Sequence, residues 1–449
     1  MIARRTLLKA AAVFPAIVPA SVFGRNAPSN RINVGAIGVG RISRIHDMPE
    51  VWKHADAHVV AVCDLDSRRA LAGQQLVDRT YAEKTGQPYR GTRAYLDYRQ
   101  LLANRDVDAV LISTPDHQHA GLAIHAARAG KDIYLQKPAA LTVAEGRTMA
   151  DAVARTGRIL QIGSQQRGTA PWPQFHRACE LVRNGRIGQL RHVEIGLPGD
   201  PAGPVQPAMP IPPNLNYDAW LGSTPEVYYT ETRVHPQDSL TGRPGWLRCE
   251  QFGAGMITGW GAHHVDIAHW GMDMEHSGPV EIWGRADFPT SGLWDVHGPF
   301  ETHARYANGV TMTISGALPN GIKFIGSEGW IFVTRSGAVT PSDPGGPQIV
   351  PLQASNPAVL TSEIGPNEVR LYRAPEQHRN WLDSIRTREA PIAPAEIGHR
   401  ACSTCLLHWI AMKSEGRRLR WDPAAERFIG DAYANRLLSR PQRRGYRIG

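Results

Sequence analysis

The sequence predicts two joined folds: a doubly wound parallel α/β sheet up to about residue 157, then an α+β domain built on a large open, mostly antiparallel sheet. Three observations predict this. The apolar run ending in Ile37 meets a glycine turn, Gly38-Val-Gly40, and then a helix-compatible segment. From Arg31 to about Gly157, short β-branched runs alternate with helix-periodic stretches, the pattern of a parallel sheet covered on both faces. From about Val227 to Thr361, alternating strands are interrupted by frequent Gly and Pro, the pattern of an antiparallel sheet. At 449 residues the chain is too long for one ordinary core, which also argues for two domains.

The first residues read as a targeting segment. Arg4-Arg5 and Lys9 precede Ala10 to Ala20, which is apolar but short and broken by Pro15 and Pro19, so residues 1–24 are expected to be a twin-arginine export signal. The expected location is the periplasm, or otherwise outside by the same route; a frayed basic start before a small helix is the alternative. Beyond it no apolar run is long enough to span a bilayer. The leader carries three cations and no acid, so its removal lowers the formal charge from +9 to +6, and five more arginines lie in the tail Arg436 to Arg447. No broad basic face with interleaved aromatics is left, which excludes nucleic acid as the expected partner. Five scattered cysteines include Cys402-Ser-Thr-Cys405, whose helical surroundings favour small buried side chains over a redox pair.

The elements follow in order. Gly38 and Gly40 let the backbone bend tightly and approach a pyrophosphate, although Ser43 stands where a third glycine would complete the pattern. Arg41 and Ile42 open the helix beside them. Val59 to Cys63 reads as the second strand, and Asp64 at its end, 24 residues beyond Gly40, is placed to hold a ribose diol and to repel a 2′-phosphate. NAD is therefore expected over NADP, with Arg68 and Arg69 arguing the other way. Asp108 to Ser113 is a central strand, Gly121 to Ala129 its helix, Lys131 to Leu135 the next strand, and Thr142-x-x-Glu145 a helix cap. Arg158 to Ile162 closes the sheet and leaves Gly163 to Gln166 at its edge. Seven prolines between Gly196 and Pro213 exclude a strand there; the segment is either a rim over the site or a surface loop. Pro375 to Arg388 and Ala395 to Lys413 read as helices. The domain limits are 1–24, 30–157, 158–374 and 375–449, the last packing back on the body.

TPDHQHAGLAIHAARAGKDIYLQKP, EGRTMADAV and ILQIGSQQR resemble the Gfo/Idh/MocA oxidoreductases, and NYDAWLG, RPGWLRCEQFGAGMITGWGAHHVDIAHWGMD and LRWDPAAERFIGDAYANRLL continue the likeness over nearly the whole mature chain. The resemblance implies a Rossmann NAD domain and an open sheet that provides the substrate floor and a homo-oligomer interface. It places His119 near the nicotinamide, with Thr114 and Pro115 along the cofactor; Gln136, Lys137 and Gln166 at the neighbouring strand ends are further cofactor-binding candidates.

Lys137, directly after a strand end, is positioned to bind a substrate hydroxyl and shuttle its proton. Its Gln136-Lys137-Pro138 setting resembles the family's Glu-Lys-Pro, with the acid replaced. Trp260 to Trp270 is expected to be helical, putting His263, Asp266, Ile267 and Trp270 on one face while His264 turns aside. His263 is the expected acid or base, with Asp266 and Trp270 orienting or walling the site. The family's aspartate four residues before this histidine is Gly259 here, which leaves its Lys-Asp-His trio incomplete. Arg233, His235 and Trp246 are candidates for binding sugar hydroxyls or a carboxylate. His117, His119, His263 and His264 lack the ligand spacing of a closed zinc site, so no metal is expected.

Together these readings describe an exported oxidoreductase acting on a carbohydrate or polyol with tightly bound NAD. The alternatives are a redox-neutral, NAD-dependent glycoside hydrolase or lyase, and a non-catalytic sugar-binding protein of the same fold.

Overall fold

A computed structural model describes residues 30–336 and 349–448; the expected export segment, 1–24, lies outside the described residues. Six strands form an all-parallel sheet: β1 (Ile32–Ile37), β2 (Ala57–Cys63), β3 (Arg93–Tyr95), β4 (Ala109–Ile112), β5 (Asp132–Leu135) and β6 (Leu160–Ile162). Their order is β3-β2-β1-β4-β5-β6. The order reverses between β1 and β4, and a crevice opens at the carboxyl ends of those two strands, where ligands of such sheets bind. β6 pairs with β5 and closes the parallel sheet, where Arg158 to Ile162 is expected to. The helix Asp116–Arg128 starts earlier than the sequence reading placed it, because extended Pro115 at its N-cap and Asp116 in its first turn are both start signals.

The second sheet has nine strands: β7 (Leu190–Gly196), β8 (Glu281–Ala286), β9 (Phe300–Arg305), β10 (Thr311–Ser315), β11 (Gly321–Gly326), β12 (Trp330–Val333), β13 (Leu352–Ala354), β14 (Leu419–Asp422) and β15 (Arg427–Phe428). Their order is β13-β12-β11-β7-β10-β9-β8-β14-β15, with β7 and β10 parallel and the other pairs antiparallel. β7 was not recognised in the sequence, yet it lies at the middle of the sheet. Val193 and Ile195 point to its buried face while His192 and Glu194 stay half-exposed, a period of two over few residues.

The helices Gly261–Met272 and Ala395–Lys413 pack together against this sheet. All five cysteines are buried and unpaired, Cys402 and Cys405 within the second of those helices. The helix Gln377–Thr387 returns to the first domain, where Trp381 and Leu382 join the cluster of Val34, Leu111 and Tyr134. Arg379 bonds Asp56 and Arg388 bonds Asp132, each at 2.7 Å. No helix among the described residues is long and apolar enough to cross a membrane.

Candidate active site

A cavity of about 650 Å³ runs from the glycine turn to the helix that carries His263. Gly38 has φ +82°, and a Cβ there would lie 2.8 Å from the Ser113 carbonyl oxygen, so only glycine fits between β1 and β4. At Gly40 a Cβ would have no neighbour closer than Arg69 Nη1 at 3.9 Å, which leaves that backbone open to the cavity, as a pyrophosphate cradle requires. Asp64 also lines the cavity, and its carboxylate accepts from Val39 N (2.9 Å) and Asp66 N (3.0 Å). These bonds fix its position at the end of β2.

The two arginines that argued for NADP are engaged by backbone carbonyls, although Arg69 still lines the cavity. Arg69 donates to the carbonyls of Pro236 (3.1 Å), Ser239 (2.8 Å) and Leu240 (3.2 Å), and Arg68 to that of Gln237 (3.2 Å). Arg41 adds a bond to Thr241 O (2.8 Å), and His235 to Asp66 (3.1 Å). The chain from His235 to Thr241 is thereby strapped across the glycine turn.

At the other end of the cavity stand Gln136, Lys137, Trp172, Trp260, His263 and Arg335. Lys137 Nζ donates to the main-chain carbonyl of Gly259 at 2.7 Å, crossing from β5 to the turn before the His263 helix. Burial, then the positive charges of Arg335 and Lys137, hold His263 well below the ordinary histidine value, so it is a neutral acceptor. The Arg335 guanidinium lies over the rings of Trp172 (4.2 Å) and Trp260 (4.9 Å). Asp116, 2% exposed, faces the same space; burial pushes its carboxyl up to about 8 against the opposing pull of Lys137.

Ile42, Thr114, Pro115, His235 and Trp246 also line the cavity. Four other candidates do not. His119 is buried behind it, with its ring nitrogens 2.6 Å from Pro138 O and 2.9 Å from Thr114 O; it braces the loops on which Lys137 and Thr114 stand. Gln166, with its amide oriented to satisfy both neighbours, donates to His263 O (3.0 Å) and accepts from Arg335 Nε (3.2 Å), so it supports the wall from outside.

Arg233 is turned onto the Tyr228 ring (4.4 Å) and bonds that residue's carbonyl. Asp266 is corrected most sharply: both its oxygens are taken by Arg167 at 2.7 and 2.8 Å in a buried ion pair that Glu275 completes. Trp270 lies against the same Arg167. The helical face was assigned to the cavity as a whole, but only its first turn reaches it. His264 bonds Asn320 (2.8 Å), and among the described residues the four histidines weighed for a metal do not gather as a donor set.

Arg335, Trp172, Asp116 and His46 were missed. Arg335 and Trp172 carry no motif and reach the site only through the fold. His46 had a signal, since Ile42, Ile45 and His46 fall on one face of the helix after the glycine turn, and all three line the cavity.

Residues 32–164 match the Gfo/Idh/MocA family model described as an oxidoreductase family's NAD-binding Rossmann fold, and residues 204–338 and 360–448 match that of the family's C-terminal alpha/beta domain. An inositol 2-dehydrogenase of Salmonella typhimurium is 30% identical over 159 residues, 35% of this chain and 43% of that protein. A glycosyl hydrolase family 109 protein of a Shewanella species is 33% identical over 181 residues, 39% of this chain and 37% of that protein. The chain spans less than half the length of the curated relatives it matches. Among solved structures, the WlbA dehydrogenase of Bordetella pertussis, in complex with NADH and UDP-GlcNAcA, shares the fold with a TM-score of 0.59 at 18% identity, over 87% of this chain and 99% of that one.

Proposed function

Because the chain belongs to the Gfo/Idh/MocA family of oxidoreductases, with an NAD-binding Rossmann domain, we propose that it is an exported enzyme oxidising a hydroxyl of a carbohydrate or polyol with tightly held NAD. One observation carries this reading: the glycine turn, Asp64, Lys137 and His263 all face one cavity. NAD, when bound, supplies a two-electron hydride acceptor. Lys137 binds and polarises the substrate hydroxyl, and neutral His263 takes its proton. Gly38, Gly40 and Asp64 hold the dinucleotide, while His235 and Trp246 meet the substrate or its approach. A relative named inositol 2-dehydrogenase and a fold neighbour solved with UDP-GlcNAcA support the substrate class.

The twin-arginine segment supports export of the folded chain to a compartment without a nicotinamide pool, and the strap over the glycine turn supports retention of a cofactor loaded beforehand. Copies associate through the open nine-stranded sheet. Absorbance and mass analysis of the exported native protein tests this, with one nicotinamide nucleotide per chain expected; none would overturn the retained-cofactor reading.

The lack of a pool also favours a second, redox-neutral reading, glycoside hydrolysis or elimination with the hydride returned, and a relative named glycosyl hydrolase family 109 supports it. Incubation with glycosides in D₂O separates the two, because deuterium at the carbon next to the oxidised one marks elimination. If Lys137→Ala and His263→Ala variants behave as the parent does, the protein is a sugar-binding module.

A further inference from the structure

The helix leaving the glycine turn is wound unevenly. Ser43–Asp47 form a π-helical turn just before Pro49, which has no N–H to give Ile45 and so leaves a normal helical ladder incomplete. The wide turn brings two adjacent side chains together: His46 Nδ1 lies 2.9 Å from Asp47 Oδ1. Asp47 is fully buried and also accepts from Ser113 Oγ (2.6 Å) and Gln136 Nε2 (2.8 Å), which pins it to the ends of β4 and β5. The His46 ring lines the cavity along with Lys137 and His263, and with Nδ1 held by the carboxylate, Nε2 is the nitrogen left to exchange a proton.

We propose that His46, oriented by Asp47, is the proton donor of this site and the counterpart of His263. Burial disfavours the His46 cation, yet the hydrogen bond and charge of Asp47 outweigh it and raise the ring above its ordinary value. Its other titratable neighbours are Glu50 and Lys53 on its own helical segment, with His378 at a ring distance of 5.5 Å from the helix Gln377–Thr387 and His263 from the helix Gly261–Met272. Two imidazoles driven in opposite directions in one cavity divide the roles of acid and base between them.

The use of this donor rests on the glycoside reading. Once the sugar carries a ketone and His263 has passed the hydroxyl proton to water, this base removes the proton from the adjacent carbon, that electron pair forms a C=C bond, the glycosidic C–O bond breaks, and the departing oxygen takes the proton from His46 Nε2. Water then adds: its oxygen bonds the carbon, its proton restores His46, and the base returns its own proton to the neighbouring carbon.

Two measurements on the NAD-loaded enzyme test this. Diethyl pyrocarbonate acylates only neutral imidazole, so its rate at the His46 peptide, followed by mass spectrometry against pH, reports the ring's protonation without turnover. Asp47→Asn should move that profile down by about one pH unit, the effect of removing a contacting opposite charge; an unmoved profile overturns the dyad. Turnover is compared on methyl and p-nitrophenyl glycosides, whose leaving groups do and do not need a proton. His46→Gln should lower kcat/KM on the methyl glycoside by about 100-fold or more, the usual range for a lost general acid, and on the aryl glycoside by about tenfold. Equal losses on both overturn the donor role with the glycoside reading intact. A parent enzyme that cleaves neither glycoside overturns that reading and this use of His46 with it, whatever the labelling shows.

Discussion

Lys137 Nζ donates to the carbonyl oxygen of Gly259 at 2.7 Å, so the lysine that ends β5 is held by the turn that launches the His263 helix. This bond joins the two domains at the site. A Cβ at Gly259 would meet nothing nearer than Leu247 and Met256 at 3.6 Å, and the residue sits in helical backbone. Gly259→Asp is therefore expected to fold and to place a carboxylate near Lys137. That charge favours the ammonium form, so the alkaline limb of the kcat/KM profile should move to higher pH, while Lys137→Met should lower turnover by about 10³-fold with NAD still bound, the scale of a lost hydroxyl-binding cation at the proton-transfer step.

Gly38→Ala should damage cofactor binding and stability together. A Cβ there collides with Ser113 O at 2.8 Å and forces a non-glycine residue to φ +82°. A cost of about 2 kcal/mol in urea unfolding is expected, with loss of co-purified nucleotide. Full nucleotide occupancy would disprove the cradle.

The strap offers a kinetic test. Arg69 makes three bonds to backbone carbonyls between Pro236 and Leu240, and truncation to Ala leaves them to solvent. Exchange of bound nucleotide for labelled NAD should be at least about tenfold faster in Arg69→Ala, equivalent to the loss of one or two hydrogen bonds to a charged group.

Arg167 and Asp266 form an ion pair only 1% and 3% exposed at the side chain. Asp266→Asn leaves the guanidinium with a weaker partner in a dry place, and a loss of about 3 kcal/mol in unfolding free energy is expected. Because this pair lies off the cavity, nucleotide content of the folded variant should match the parent.

Glu145 gives stability a pH dependence. Burial pushes its carboxyl from 4.5 up to about 7, against the pull of Arg440 and Gln442. Below the unfolded value both states are protonated. Between that value and about 7 the unfolded chain loses its proton first, so stability falls as pH rises, by about 3 kcal/mol in total. In Glu145→Gln the descent of the pH–stability curve between about 4.5 and 7, measured by urea unfolding, should be shallower by about that amount.

Much of the site could be read from local pattern. Gly38, Gly40, Asp64, Thr114 and Lys137 all stand at or just after strand ends, where a short, largely apolar run followed by a turn fixes which residues meet the crevice. Asp266 and Arg233 failed for one reason: a polar residue on the right helix face or in the right loop still points wherever its strongest partner lies, and neither Arg167, 99 residues before Asp266, nor Tyr228, five residues before Arg233, carries a signal of that pairing. β7 escaped because four alternating residues beside a proline-rich stretch carry little signal.

The amino-acid order alone determined the two-domain architecture, the dinucleotide turn and the lysine, since these follow from chain periodicity and from the conformations open to glycine. Tertiary packing decided which charged groups are spent on partners elsewhere in the protein and which side chains line the cavity. Arg68, Arg69 and Asp266 are consumed, while His46, Asp116 and Arg335 are delivered to the cavity. Burial and electrostatic pairing depend on neighbours that the fold brings together, Arg69 and Pro236 across 167 residues and Arg167 and Asp266 across 99, and no local pattern encodes them.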